Sequence, residues 1–151
     1  MKPLYVRIED KDDLTVVSAH LQDAVTTVGD FAYDAKRRRF AGVVNRFRWE
    51  AEETRKIGPR RHSRIRTGLH FDGVLAVRSQ NVAREAKDAV VSLLSIRFAP
   101  AGDEADPAGT VTLDFAGGGT IALDVECLEG HVSDIGQPWA TRSKPKHDLT
   151  T

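Results

Sequence analysis

Residues 31–50, FAYDAKRRRFAGVVNRFRWE, restrict the fold most, because they alternate with a period of two and are broken once by a basic turn. Successive side chains of a strand face opposite sides. From Ala41 onward, Ala41, Val43, Asn45, Phe47 and Trp49 share one side, and Gly42, Val44, Arg46 and Arg48 share the other. The aromatic-bearing set offers more apolar area, so it is predicted to face the core and the arginines to face water. Asn45 then needs a hydrogen-bonded amide. The turn, residues 34–39, contains no Asn-Gly or Asp-Gly, which predicts a loop of several residues rather than a two-residue hairpin turn.

The remaining chain repeats this pattern. Leu4, Val6 and Ile8 predict a short strand, and Asp10, Asp12 and Asp13 offer N-caps to a helix over residues 11–24 with Leu14, Val17, Leu21 and Ala24 on one stripe. Residues 50–62 are charged, contain Gly58-Pro59 and read as an exposed loop open to trypsin at Arg55, Lys56, Arg60 and Arg61. Strands are predicted over residues 63–71 and 74–79, with a bend at Gly73, and over 90–98, followed by an acidic Pro/Gly loop over 99–109. Residues 111–115 and 121–125 form a hairpin about Gly117-Gly118-Gly119. Val125, Leu128, Val132 and Ile135 then fall at helical spacing, with Gly136 and Pro138 as a stop. The expected architecture is α+β: an antiparallel, strongly bent sheet of about seven strands with an N-terminal and a C-terminal helix, an element order analogous to a pleckstrin-homology-like barrel. Residues 1–138 are expected to be a single α+β domain and residues 139–151 a basic C-terminal tail.

At 151 residues with 40% hydrophobic and 29% charged side chains, the chain has the make-up of one soluble domain with a substantial core. Cys127 is the lone cysteine, which excludes an intrachain disulfide and suits a reducing, cytoplasmic compartment. It reads as a small buried hydrophobe rather than a nucleophile. No apolar run has signal-peptide or membrane-spanning length, so no membrane partner is expected. The formal net charge is zero, yet residues 36–66 hold twelve Lys or Arg against three Glu, leaving the rest correspondingly acidic.

Five segments, AHLQDAV (19–25), NRFRWE (45–50), LLSIRF (93–98), FAGGGTIALDVE (115–126) and PWATRSKPKH (138–147), carry a resemblance over nearly the whole chain. In content and order they resemble a family of small proteobacterial proteins catalogued only as a domain of unknown function, number 2948. The resemblance implies a bacterial cytosolic source; it supplies no activity, cofactor or catalytic residue.

Motifs that carry chemistry are few. His20, His62, His70, His131 and His147 are scattered, and no pair has metal-ligand spacing, so neither a metal nor a cofactor is expected. His20 and His131 would meet only if the two predicted helices packed on one sheet face, and two hydrogen-bonded boundary histidines outweigh a ligand pair. The triple glycine lacks the Lys-Ser/Thr of a phosphate loop and reads as a turn. A GxSxG elbow is absent, and the carboxylates cannot be paired from sequence for acid–base work. The strongest lead is basic: Arg46 and Arg48 on one strand and Arg64 and Arg66 on the next, joined by Arg37, Arg38 and Arg39, would form one solvent-facing patch for an anionic partner, an acidic protein or a nucleic acid. Against it stands a solvated face neutralised by Glu50, Glu52 and Glu53. The reading drawn from the sequence is a small cytosolic, non-enzymatic binding or regulatory protein of unknown partner. Its alternatives are a nucleic-acid-contacting module using the arginine face, and a small hydrolase or transferase whose site is not readable from sequence.

Overall fold

The computed structural model describes residues 3–54, 62–103, 105–141 and 145. The chain runs β1 (Tyr5–Ile8), α1 (Lys11–Leu21), β2 (Val25–Thr27), a 3-10 turn (Val28–Asp30), β3 (Phe31–Asp34), β4 (Arg39–Phe47), α2 (Trp49–Thr54), β5 (His62–Phe71), β6 (Val74–Gln80), β7 (Val90–Pro100), β8 (Gly109–Phe115), β9 (Thr120–Val125) and β10 (Gly130–Thr141). All pairings are antiparallel. The open sheet has the order β1-β10-β5-β4-β2-β7-β8-β9-β6, and β3 pairs with β4 beside that path.

Helix α1 forms as its caps and stripe dictate. The Asp10 carboxylate accepts the Asp13 N–H at 2.8 Å, the Asp13 carboxylate accepts the Glu9 N–H at 2.9 Å, and Leu14, Val17 and Leu21 are buried. The Ser18 hydroxyl accepts the Ile96 N–H at 2.9 Å, tying the helix to β7. The core gathers these side chains with Ile8, Phe40, Val44, Leu69, Phe71, Val111, Leu113, Leu123 and Val132. Short β2 joins the two halves of the sheet, Val25 pairing with Asn45 on one side and Ser92 on the other. At the corner between β5 and β6, Gly73 has φ +67, and the Val74 N–H reaches the Arg38 carbonyl at 2.8 Å.

Several expectations change. Strand β4 has the opposite parity: Phe40, Gly42, Val44 and Arg46 face the core, and Ala41, Val43 and Asn45 face outward, half-buried. Phe47 is buried as expected, but at the strand end beneath Trp49, whose ring lies 4.6 Å from it; Trp49 itself is half-buried at the start of α2. The expected C-terminal helix is strand β10. Its stripe is divided among three places: Val125 ends β9, Leu128 lies in the turn, and Val132 faces the core from β10. Gly136 (φ +77) and Pro138 do not stop a helix; they fall where the β10–β5 register shifts between Ile135 and Trp139. Pairing continues to Thr141, so Trp139, Ala140 and Thr141, expected in the tail, lie in the sheet. Finally, α2 occupies the start of the expected 50–62 loop; most of that loop, and the tail beyond 141 apart from Pro145, lie outside the described residues. Among the described residues the sheet has ten strands rather than about seven, and the C-terminal helix on which the barrel analogy rested is absent from residues 130–141.

Candidate functional site

The expected arginine patch does not form one face. Pairing Arg46 with Ile65 and Asn45 with Arg66 puts Arg46 on the core side and Arg66 on the outer side. Arg46 is 1% exposed and forks onto two carboxylates: Nε and Nη2 donate to Asp134 at 2.8 Å each, and Nη1 and Nη2 donate to Glu50 at 3.0 and 2.8 Å. Asp134 also accepts the Leu4 N–H at 2.7 Å and the Thr67 hydroxyl at 2.8 Å. Burial pushes the Asp134 carboxyl up, but Arg46, Leu4 and Thr67 together outweigh it and hold it below the usual carboxylate range. Burial would likewise lower Arg46, and the two carboxylates raise it instead. Arg48 is buried, donating to the Ser63 hydroxyl at 2.9 Å. Arg64 is half-buried, donating to the Asn45 carbonyl at 3.0 Å with its guanidinium 5.8 Å from the Phe47 ring centre. Of the four, Arg66 alone is exposed. At the β3–β4 turn, Arg37, Arg38 and Arg39 are exposed and paired with Asp34, Glu126 and Asp72.

The outer face of β10, β5 and β4 carries the more chemical arrangement. The register builds rows across it: Asp72 beside Arg39, then His131, His70 and Ala41, then Ser133, Gly68 and Val43, then Ile135, Arg66 and Asn45. Small side chains in the middle rows leave a groove of about 570 Å³, walled by Tyr5 from β1 and by Ile135. At one end stand His131, His70 and Asp72. His131 Nδ1 lies 3.2 Å from His70 Nε2, and His70 Nε2 lies 3.4 Å from Asp72 Oδ2. Arg39 Nε donates to Asp72 Oδ1 at 2.7 Å, which leaves Oδ2 turned to the histidines. Burial lowers the His70 pKa, Arg39 and His131 add to the lowering, and Asp72 opposes them, a balance that favours the uncharged ring. The three donor atoms lie within 4.8 Å of one another, a grouping able to hold a metal ion.

The sequence alone sets His70 and His131 aside as histidines without metal-ligand spacing and does not single out Asp72. His70 lies on the outer side of β5 and Asp72 follows two residues later, just past the end of the strand, but their partner is 61 residues away from His70 and is supplied by β10, where the sequence predicts a helix. His20 does not meet His131; it lies 3.4 Å from Glu50 at the end of α1. Cys127 is half-buried, and burial with Glu129 and Glu126 pushes its thiol up, which disfavours the nucleophilic thiolate.

The fold and this face define a sheet-rich antiparallel domain with an open, histidine-ended groove on its outer surface. The chain belongs to the family described as protein of unknown function (DUF2948), whose family model matches residues 4–147. No curated protein and no solved structure matches it. No helix among the described residues is long and apolar enough to cross a membrane.

Proposed function

We propose that the chain is a binding protein whose ligand lies in the outer groove, with its polar end against His70, His131 and Asp72. One observation carries this reading: three proton- and metal-capable side chains, His70 from β5, His131 from β10 and Asp72 from the corner after β5, converge at the end of a groove floored by Ala41, Val43 and Gly68, on the face turned away from the core. Small-molecule sites are mostly apolar concavities with a few convergent polar groups. Ser133, a hydroxyl on the groove floor, donates to the Asp134 carbonyl at 3.3 Å, which favours binding over nucleophilic catalysis. A lone cysteine supports a reducing, cytoplasmic setting. The test is equilibrium dialysis of the full chain against a small-molecule cell extract, read by mass spectrometry. Gly68→Leu fills the floor, since a Cβ there already meets Ile135 Cδ1 at 3.1 Å. Compounds enriched by the parent should be lost with this variant; no enrichment by the parent, or equal enrichment by both, contradicts the reading.

A second reading keeps the exposed turn of Arg37, Arg38 and Arg39 as a contact for an acidic protein or nucleic acid. Such a partner would have to displace Asp34, Glu126 and Asp72 from them. Under this reading a pull-down recovers a partner whose binding weakens with salt and with Arg37→Gln plus Arg38→Gln, and nuclease treatment separates nucleic acid from protein. Recovery that neither salt nor the double substitution weakens counts against it.

A further inference from the structure

We infer that His70, Asp72 and His131 form a binding site for a divalent transition-metal ion, of which zinc is the best match, with its remaining coordination position open to the groove. The inference rests on the groove reading and names the chemistry at the groove's polar end.

The geometry supports it in three ways. Ligands about 2.0–2.1 Å from a tetrahedral zinc stand roughly 3.3–3.4 Å from one another. The separations of His131 Nδ1 from His70 Nε2, 3.2 Å, and of His70 Nε2 from Asp72 Oδ2, 3.4 Å, already approximate two edges of that tetrahedron. Second, the lone pairs are at hand. A neutral imidazole carries one proton, so each ring can keep it on the nitrogen turned away from the cluster and present the other nitrogen to a metal. Without metal, one proton must lie between His131 Nδ1 and His70 Nε2 if they are hydrogen-bonded. Metal binding then requires only its transfer to the far nitrogen of the same ring. Third, the ligands are held from outside. Arg39 fixes the second carboxylate oxygen of Asp72, as outer partners of metal-bound carboxylates do, and the Asp72 N–H donates to the Glu129 carbonyl at 3.0 Å. The direct pairing of His70 with His131 sets the two rings side by side. Two imidazoles and one carboxylate suit zinc and its first-row neighbours, and three protein ligands leave one position for a ligand in the groove.

The test uses the full chain, stripped with chelator and dialysed free of it. Zn²⁺ alone is titrated by calorimetry, and Co²⁺ is added separately to read visible d–d bands, whose intensity reports a tetrahedral site. One equivalent of Zn²⁺ should bind and raise the melting temperature, and Co²⁺ should give the intense tetrahedral spectrum. His131→Ala and Asp72→Asn should each weaken binding at least about tenfold, while His20→Ala should bind as the parent does. Should the ligand variants fold poorly, the parent's cobalt spectrum decides by itself. No binding by the parent in excess Zn²⁺, or undiminished binding by well-folded His131→Ala, overturns the metal site and leaves a hydrogen-bonded histidine pair. Because no organic ligand enters this experiment, its failure leaves the groove reading to the Gly68→Leu dialysis.

Discussion

The guanidinium of Arg46 sits where alternation in β4 would put an apolar side chain, and it is accommodated by two carboxylates, Asp134 and Glu50. Removing one partner of a buried pair leaves an uncompensated charge, so Arg46→Ala should destabilise the chain by about 3–5 kcal/mol in denaturant melts. A loss under about 1 kcal/mol would mean that the pair is solvated. The pair also fixes a pH dependence. The folded-state pKa of Asp134 is depressed, so its contribution is complete above the unfolded value of about 3.9 and is lost as pH falls through the folded value. Melts of the parent should therefore weaken below about pH 4, and Arg46→Ala should lose less over the same interval; equal acid sensitivity would detach Asp134 from the effect. The same residue accounts for the difference between the predicted and the observed parity of β4. The apolar area of Phe47 and Trp49 outweighed Phe40 and Val44, and nothing near Arg46 in sequence announces Asp134, which is 88 residues away. Phe47 is buried as predicted, with the Trp49 ring packed over it.

Among the elements, α1 and the β8–β9 hairpin were legible because their determinants are local: caps and a stripe for one, alternation about glycines for the other. Strand β10 was not. A run of apolar residues at three- and four-residue spacing looks helical until the turn after β9 divides it, and Gly130 is the residue that decides. A Cβ there would clash with the His70 carbonyl oxygen and lie 3.0 Å from the Phe71 ring, so the close approach of β10 to β5 depends on its absence. Gly130→Ala should cost about 1–3 kcal/mol and disturb the His70–His131 pair. An alanine variant as stable as the parent would place β10 in another register. The three-residue β2 is too short for any periodicity to show, yet it joins the two halves of the sheet.

At the scale of the molecule, the sequence conveys the class, an antiparallel sheet with a capped N-terminal helix, and misses the site. The basic run in residues 36–66 is real, but folding distributes its described arginines between core pairs, half-buried contacts, an exposed turn and, for Arg66, the outer face of β5. The histidine cluster depends on β10 pairing with β5, a contact between distant segments that no local spacing encodes. The acidic loop expected over 99–109 is narrower, residues 101–108, since β7 runs to Pro100 and β8 begins at Gly109; exposed apart from Ala108 among its described residues, it is where a protease that cleaves after Asp or Glu should cut early among the described residues. First cuts within β7 or β8 would contradict that placement. The most direct test of the account is to map amide shifts in ¹⁵N–¹H correlation spectra of the full chain before and after addition of the groove-bound fraction of the extract. Shifts should be confined to residues 41–43, 68–72 and 131–135, with β7, β8 and β9 unmoved. Shifts centred on Arg37, Arg38 and Arg66, with His70 and His131 unchanged, would contradict it.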